Sequence, residues 1–167
     1  MSPSQLDKPE FMAVFSGVFE HSPWIAEAVW EAGLSSRHDS VTGLHQAFGD
    51  VIRQSERENK LALLRAHPEL AVGIASNGQL TEASRREQRG AELDRCSPAE
   101  FTEFQNLNKS YGEKFGFPFI MAVKGYDRHG ILEAFRARMM NSPDQEFQAA
   151  VDQVIRIGRF RIEGLFN

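Results

Sequence analysis

The stretch "LALLRAHPEL", residues 61–70, ends an apolar helical run at His67 and follows it with Pro68. Imidazole changes charge near neutral pH, so a histidine fixed at a helix end is a candidate for chemistry. The same pattern suits a histidine that only terminates its helix, because the macrodipole stabilises a cation at the C-terminus. His67 is therefore either a site residue or the end of a helix.

A second candidate set lies in the polar run "SRREQR", residues 84–89. Ser84, Glu87 and Gln88 are spaced by three and four residues, so they share one face of a helix. Such a face can present a carboxylate, a hydroxyl and an amide to one ligand. A charged run of this kind is also typical of a solvated helix face.

The apolar stretch "FGFPFIMAV", residues 115–123, interrupts the helical pattern because Pro118 biases Phe117 away from the α conformation. A buried extended segment leaves backbone amides and carbonyls without a ladder, so they must bind side chains, water or a ligand. That suits recognition of a flat, amide-rich small molecule. The alternative is ordinary core.

The remaining reactive side chains give weaker signals. The C-terminal arginines most simply solvate the last helix: Arg156, Arg159 and Arg161. Cys96 has no cysteine or histidine partner pattern and is expected to be an idle thiol. The five histidines show no metal-ligand spacing, so no metal site is expected.

These candidates need helices to position them, and helix-start signals are frequent. Ser-Pro pairs at Ser22, Ser97 and Ser142 predict N-caps, and Glu100 and Gln145 complete capping boxes with the last two. Thr81 is a predicted N-cap as well. Apolar stripes with helical spacing fill the intervals, and no alternating hairpin pattern occurs.

The pattern predicts an all-α fold: one helical-bundle-like domain over residues 1–167, with about seven to nine helices and one buried extended loop. Loops are expected at about 67–80, with a turn at Asn77-Gly78, and at 116–127.

Composition narrows the class of protein. The chain has 167 residues, a net charge of -4 and one cysteine. We therefore expect no nucleic-acid partner, no internal disulfide and a reducing compartment. No apolar run is long enough for a bilayer and no signal peptide is recognisable, so a cytoplasmic protein without membrane contact is expected.

Four motifs in order resemble one family: "HPEL" at 67–70, Ser84 with Glu87 and Gln88, "FGFPFIMAVKG" at 115–125, and "RFRIEGL" at 159–165. The chain is similar over nearly its whole length to 2-oxo-4-hydroxy-4-carboxy-5-ureidoimidazoline (OHCU) decarboxylases. The resemblance implies cofactor-free decarboxylation of OHCU to (S)-allantoin and CO2 in urate breakdown, and a homodimer. The substrate's C=N bond beside the carboxylated carbon would accept the electron pair.

The resemblance also implies residue roles. His67 would act as general acid or base, and Glu87 would orient it or bind the substrate hydroxyl. The substrate-binding residues would be Pro68, Ser84, Arg85, Arg86, Glu87, Gln88, Phe119, Ile120, Met121, Ala122, Val123 and Arg161. Arg161 would bind the carboxylate bidentately, with Arg159 as the alternative. Which of His67 and Glu87 delivers the stereospecific proton stays open.

Two other classes stay open. A binding module would use residues 115–123 as an apolar groove, whereas an enzyme needs His67, Glu87 and Arg161 to converge in one pocket. A hydrolase of a neighbouring ureide would need an activated water, for which the sequence shows no metal set or nucleophile triad.

Overall fold

The computed structural model describes residues 1–71 and 81–167. In this part of the chain it contains eight α-helices and no β-strand, which confirms the all-α prediction. The helices are α1 (Lys8–Phe15), α2 (Trp24–Glu31), α3 (Val41–Gln54), α4 (Arg57–Arg65), α5 (Glu82–Gly90), α6 (Pro98–Phe115), α7 (Arg128–Arg138) and α8 (Pro143–Phe166). None of the described helices is long and apolar enough to cross a membrane.

Three of the four predicted N-caps form in the structure. Ser97 and Glu100 form a reciprocal capping box at α6, and Ser142 and Gln145 exchange the same two bonds at α8. The Thr81 side chain caps α5 by accepting a hydrogen bond from the amide of residue 84. These local side chain–backbone bonds satisfy amides that have no partner inside the helix.

One predicted cap is wrong. Pro23, not Ser22, is the N-cap of α2, and no side chain bonds to that helix end. The Ser22 hydroxyl instead donates a hydrogen bond to the Glu20 carbonyl at 2.8 Å. The Ser22 side chain is thus used by the turn that precedes the helix.

The described residues form two compact units, and each is taken by itself. The first contains Met1–Ala66 and Val154–Asn167. Its core includes the rings of Phe11, Phe15 and Phe48, which contact one another in sequence. The prediction of a single domain over the whole chain stays a prediction.

The second unit contains His67–Gln153. Its core is built around Tyr111 of α6, a fully buried ring in contact with Phe119 and Phe135. The connection between α6 and α7 covers residues 116–127, as the sequence predicts. Within it, residues 119–123 are buried and belong to no helix or strand, which matches the expected buried loop.

Candidate functional site

His67 lies just beyond the end of helix α4, whereas the sequence predicts that the helix ends at this residue. Helix α4 stops at Arg65, with Ala66 as its C-cap, so His67 belongs to the turn that follows. Its side chain is buried, with the residue 7 % exposed, and its Nε2 atom is shielded from solvent. Pro68 is half-buried beside it. His67 is therefore a buried imidazole that lies outside helix α4.

The face of α5 that carries Ser84, Glu87 and Gln88 is buried or half-buried. Ser84 and Gln88 are buried, Glu87 and Arg85 are half-buried, and Arg86 is exposed. This pattern leaves Arg86 in solvent and covers the other four at least in part. The α5 face is therefore not the fully solvated charge run of the alternative interpretation.

Gln88 ties α5 to the segment that carries His67. Its Oε1 accepts a hydrogen bond from the Ala71 amide at 3.1 Å, and its Nε2 donates to the Glu69 carbonyl at 3.3 Å. Ala71 has a φ of 54°, a left-handed conformation that costs a residue with a Cβ about 1 kcal/mol or more. The side-chain amide of Gln88 helps to hold that strained turn.

Helix α6 contacts both candidate loops from positions one turn apart. The Nδ2 of Asn108 donates to the Leu70 carbonyl at 2.9 Å, and the ring of Tyr111 packs edge-on against Phe119 at 5.5 Å. Residues three apart share one helix face, separated by roughly 4.5 Å along the axis. The turn after His67 and the buried loop are therefore both held by the same face of helix α6.

The buried loop 119–123 is held from the helices that follow it. Arg138, the last residue of α7, donates from Nη1 to the Ile120 carbonyl and lies over the Phe119 ring at 4.4 Å. The Oε1 of Gln153 on α8 accepts a hydrogen bond from the Ala122 amide at 2.9 Å. The Phe119 ring also stacks on Phe135 at 3.8 Å. Side chains thus satisfy backbone groups that no ladder reaches.

A buried carboxylate holds Arg138 in place. Glu146 on α8 is 0 % exposed and forms an ion pair with Arg138, whose Nε donates to it at 2.7 Å. The same carboxylate accepts hydrogen bonds from the Tyr111 hydroxyl at 2.6 Å and from Asn141 at 2.9 Å. Burial, with the hydrogen bond to Glu146, raises the pKa of Tyr111 well above its ordinary value.

Arg161 belongs to the first unit, in a buried ion pair. Its Nη1 donates to the Val18 carbonyl at 2.9 Å and its Nη2 to the Glu20 carboxylate at 3.0 Å, with the Arg161 side chain only 8 % exposed. Gly158 allows helix α8 to approach the Phe19 ring closely, because a Cβ at residue 158 would lie 2.5 Å from that ring. Binding of a substrate carboxylate by Arg161 stays a prediction.

The alternative cation, Arg159, is more accessible. Its side chain is 40 % exposed and its Nε bonds to Glu163, one turn along α8, at 3.1 Å. Such a pair on an exposed helix face contributes little to stability.

Cys96 is half-buried, and burial raises the pKa of its thiol, so it is a neutral thiol at ordinary pH. Among residues 1–71 and 81–167, no three His, Cys, Asp or Glu side chains cluster as a metal site would require.

The structure thus brings His67, the α5 face and the loop 119–123 into one compact unit. The predicted turn at Asn77-Gly78 lies outside the described residues. Four residues that hold these segments were not identified from the sequence: Asn108, Arg138, Glu146 and Gln153. A usable signal was present for Asn108, a polar residue inside the apolar stripe of α6.

Comparison with known proteins gives one family. The family model described as OHCU decarboxylase matches residues 4–163. A protein of Halalkalicoccus jeotgali named 2-oxo-4-hydroxy-4-carboxy-5-ureidoimidazoline decarboxylase is 40% identical over 162 residues, covering 97% of this chain and 88% of the relative. A Haloferax volcanii protein of the same name is 39% identical over 98% of this chain and 94% of its own.

A solved structure shares the fold. The crystal structure of an (S)-allantoin synthase superposes with a TM-score of 0.74 at 29% identity, over 98% of this chain. The match covers 52% of that protein, so the chain spans about half its length.

Proposed function

Because the chain belongs to the OHCU decarboxylase family, we propose that it decarboxylates OHCU to (S)-allantoin and CO2 in urate degradation. The observation that carries the proposal is the grouping of His67, the α5 face and the loop 119–123 in one unit. Hydrogen bonds from Gln88 and Asn108 fix the turn after His67, while Tyr111 packs against the loop.

The substrate's chemistry requires little beyond positioning and proton transfer. The bond from the ring carbon to the carboxylate breaks, and its electron pair enters the neighbouring C=N bond, whose nitrogen takes up a proton. The resulting enol loses its hydroxyl proton and gains one at the carbon that bears the ureido group. The face on which this last proton arrives sets the (S) configuration.

His67 is the proposed proton carrier. A neutral imidazole can accept the hydroxyl proton and, once charged, can donate it to the carbon that bears the ureido group, so a single residue serves these two transfers. The proton on the ring nitrogen is the one net proton that replaces CO2, and it comes from solvent. Its burial favours this role, because a group shielded from water exchanges protons with the ligand rather than with solvent. Glu87, half-buried on α5, is proposed to bind the hydroxyl or to orient the imidazole.

The remaining roles concern binding. Ser84 on α5 and the main chain of 119–123 are proposed to hydrogen-bond the ureido and ring amides, and Pro68 is proposed to pack against the ring. Arg161 is the proposed partner of the carboxylate, with Arg159 as the alternative. Further proposals, resting on family resemblance and on the single cysteine, are a homodimer and a cytoplasmic location.

Freshly generated OHCU mixed with the protein tests the proposal directly. Circular dichroism at the allantoin band should develop with the protein and stay near zero in buffer, because spontaneous decay gives racemic allantoin without a signal. The matched control is His67→Asn, which should return the trace toward the spontaneous one. A wild-type trace that stays flat while OHCU disappears would exclude (S)-allantoin formation. Light scattering of the same sample should give twice the 18.8 kDa chain mass for a homodimer.

A further inference from the structure

Two side chains form hydrogen bonds to the backbone of loop 119–123 and fix its orientation. Arg138 binds the carbonyl of Ile120, and Gln153 binds the amide of Ala122. The two residues come from different helices, and each supplies the type of group, donor or acceptor, that its backbone partner needs. No other side-chain bond to these two backbone groups is present in the described part of the chain.

These two backbone groups belong to alternate residues. In an extended chain the N–H and C=O of one residue point to the same edge, and those of the next residue point to the opposite edge. The Ile120 carbonyl and the Ala122 amide both bond to side chains of α7 and α8, which is the spacing expected of one edge of an extended segment. In that geometry the backbone groups of Met121 lie on the opposite edge, and among the described residues no hydrogen bond reaches them.

The cost of this arrangement indicates that it has a purpose beyond packing. Arg138 and Glu146 bury opposite charges, and such a pair seldom stabilises a fold more than well-packed apolar residues would. An apolar replacement could fill the same volume. It could not bind the Ile120 carbonyl, and the edge of the loop that faces α7 and α8 would lose its fixed orientation.

We propose that Gln153 and Arg138 are positioning residues for ligand recognition, which bind one edge of loop 119–123 so that the opposite edge, with Met121, is presented to an amide-rich ureide. The inference rests on the proposed function for the identity of that ligand. Neither residue needs to touch the ligand. Their effect is on binding of substrate and product alike, through the orientation of the main chain.

Gln153 is the residue to vary, because removing Arg138 would leave the Glu146 carboxylate buried without its cation. Gln153→Ala removes the acceptor for the Ala122 amide, and Gln153→Glu keeps an acceptor at the same reach. Gln148→Ala is the matched control, since Gln148 is exposed on the same helix and its side chain donates to Asp152 at 3.1 Å, away from the loop.

The measurements are kcat and KM for OHCU, the inhibition constant of (S)-allantoin and the melting temperature. Gln153→Ala should raise KM and the inhibition constant by roughly 2- to 12-fold, the value of one net hydrogen bond, with kcat within about twofold. Gln153→Glu should restore both constants, and Gln148→Ala should match the wild type. Unchanged constants in Gln153→Ala would overturn the proposal. So would a fall in kcat that accompanies a lower melting temperature with KM unchanged.

A second measurement does not depend on a variant that folds. In amide NMR of the wild-type protein, (S)-allantoin should shift the Met121 amide more than the Ala122 amide, which Gln153 already binds. The reverse order would contradict the proposed presentation. Turnover of OHCU by the wild type separates the two hypotheses: a protein without that activity refutes the proposed function, whereas an active one that fails these comparisons refutes only the positioning role.

Discussion

The side-chain oxygen of Gln88 accepts a hydrogen bond from the amide of Ala71, a residue held at a φ of 54°. The same side chain donates to the Glu69 carbonyl, so its amide bridges the turn that follows His67. Gln88 therefore positions the imidazole's segment, a role that the sequence-based assignment to substrate binding does not include.

Gln88→Ala should consequently differ from Ser84→Ala. Loss of the Gln88 side-chain amide leaves the buried Ala71 amide unpaired, at about 1–3 kcal/mol, and loosens the turn, so kcat and stability should both fall. Ser84→Ala, by removing one bond made to substrate and transition state alike, should mainly raise KM. Steady-state kinetics and urea unfolding of both variants make the comparison. Equal effects confined to KM would return Gln88 to a binding role only.

His67→Asn should lower kcat about 10²- to 10⁴-fold, the usual contribution of a general acid or base, without unfolding the protein. His129→Asn is the control, because His129 is exposed on α7. Stopped-flow dichroism gives the rate, and a melting curve checks the fold. Wild-type turnover by His67→Asn would leave this histidine with a structural role alone.

Glu87→Gln keeps the shape of the side chain and removes its charge. If Glu87 orients His67 or binds the hydroxyl, kcat should fall while the inhibition constant of (S)-allantoin changes little. Glu82→Gln on the exposed face of α5 provides a charge-matched control. Similar kinetics for the two variants would remove Glu87 from the reaction.

The two arginines should separate by variant. Arg161→Lys keeps a positive charge near Glu20 but loses the planar fork that binds a carboxylate bidentately, so KM for OHCU should rise. Arg159→Ala should leave KM and stability nearly unchanged, because its pair with Glu163 is half-exposed. The measurement is KM alongside the melting temperature. If KM rises with Arg159→Ala and not with Arg161→Lys, binding of the substrate carboxylate is assigned to Arg159 instead.

Alkaline stability should depend on Tyr111. Its pKa lies above the unfolded value of about 10, mainly because of burial, so the neutral phenol favours the folded state. That contribution is complete below about pH 10 and is lost as the pH rises further. Tyr111→Phe should be less stable than the wild type near neutrality by about 1.5–3 kcal/mol, the value of a bond to a charged group, and should lose less above pH 10. Urea unfolding at several pH values measures this, with the exposed Tyr126→Phe as control. Parallel wild-type and Tyr111→Phe curves would contradict it.

Helices and their caps were predictable because their signals are local. The Ser97 capping box needs only Glu100 three residues later, and the structure forms it. The end of α6 at Gly116, with a φ of 80°, follows from the same short-range chemistry. Ser22 was misassigned because the preceding turn competes for its hydroxyl, and that competition depends on chain geometry outside the Ser-Pro pair.

The long-range bonds of the site were not predictable from spacing. Gln88 lies 17 residues from Ala71, and Gln153 lies 31 residues from Ala122. Their partners are backbone groups, which carry no residue-specific signal in a sequence. The sequence could place these side chains on a helix face, but not choose between a ligand and the main chain as the partner.

The carboxylate of Glu146 joins three donors that lie on α6, on α7 and just before α8, namely Tyr111, Arg138 and Asn141. Any single replacement leaves some of these buried polar groups unsatisfied, so the free-energy effects of replacements at the four positions should not add. A simultaneous exchange to apolar residues of similar volume could instead be tolerated by the fold. Among sequences related to this one, residues at these four positions should therefore vary together. Either all four polar residues are retained, or all four are exchanged and the hydrogen bond from Arg138 to the Ile120 carbonyl is lost.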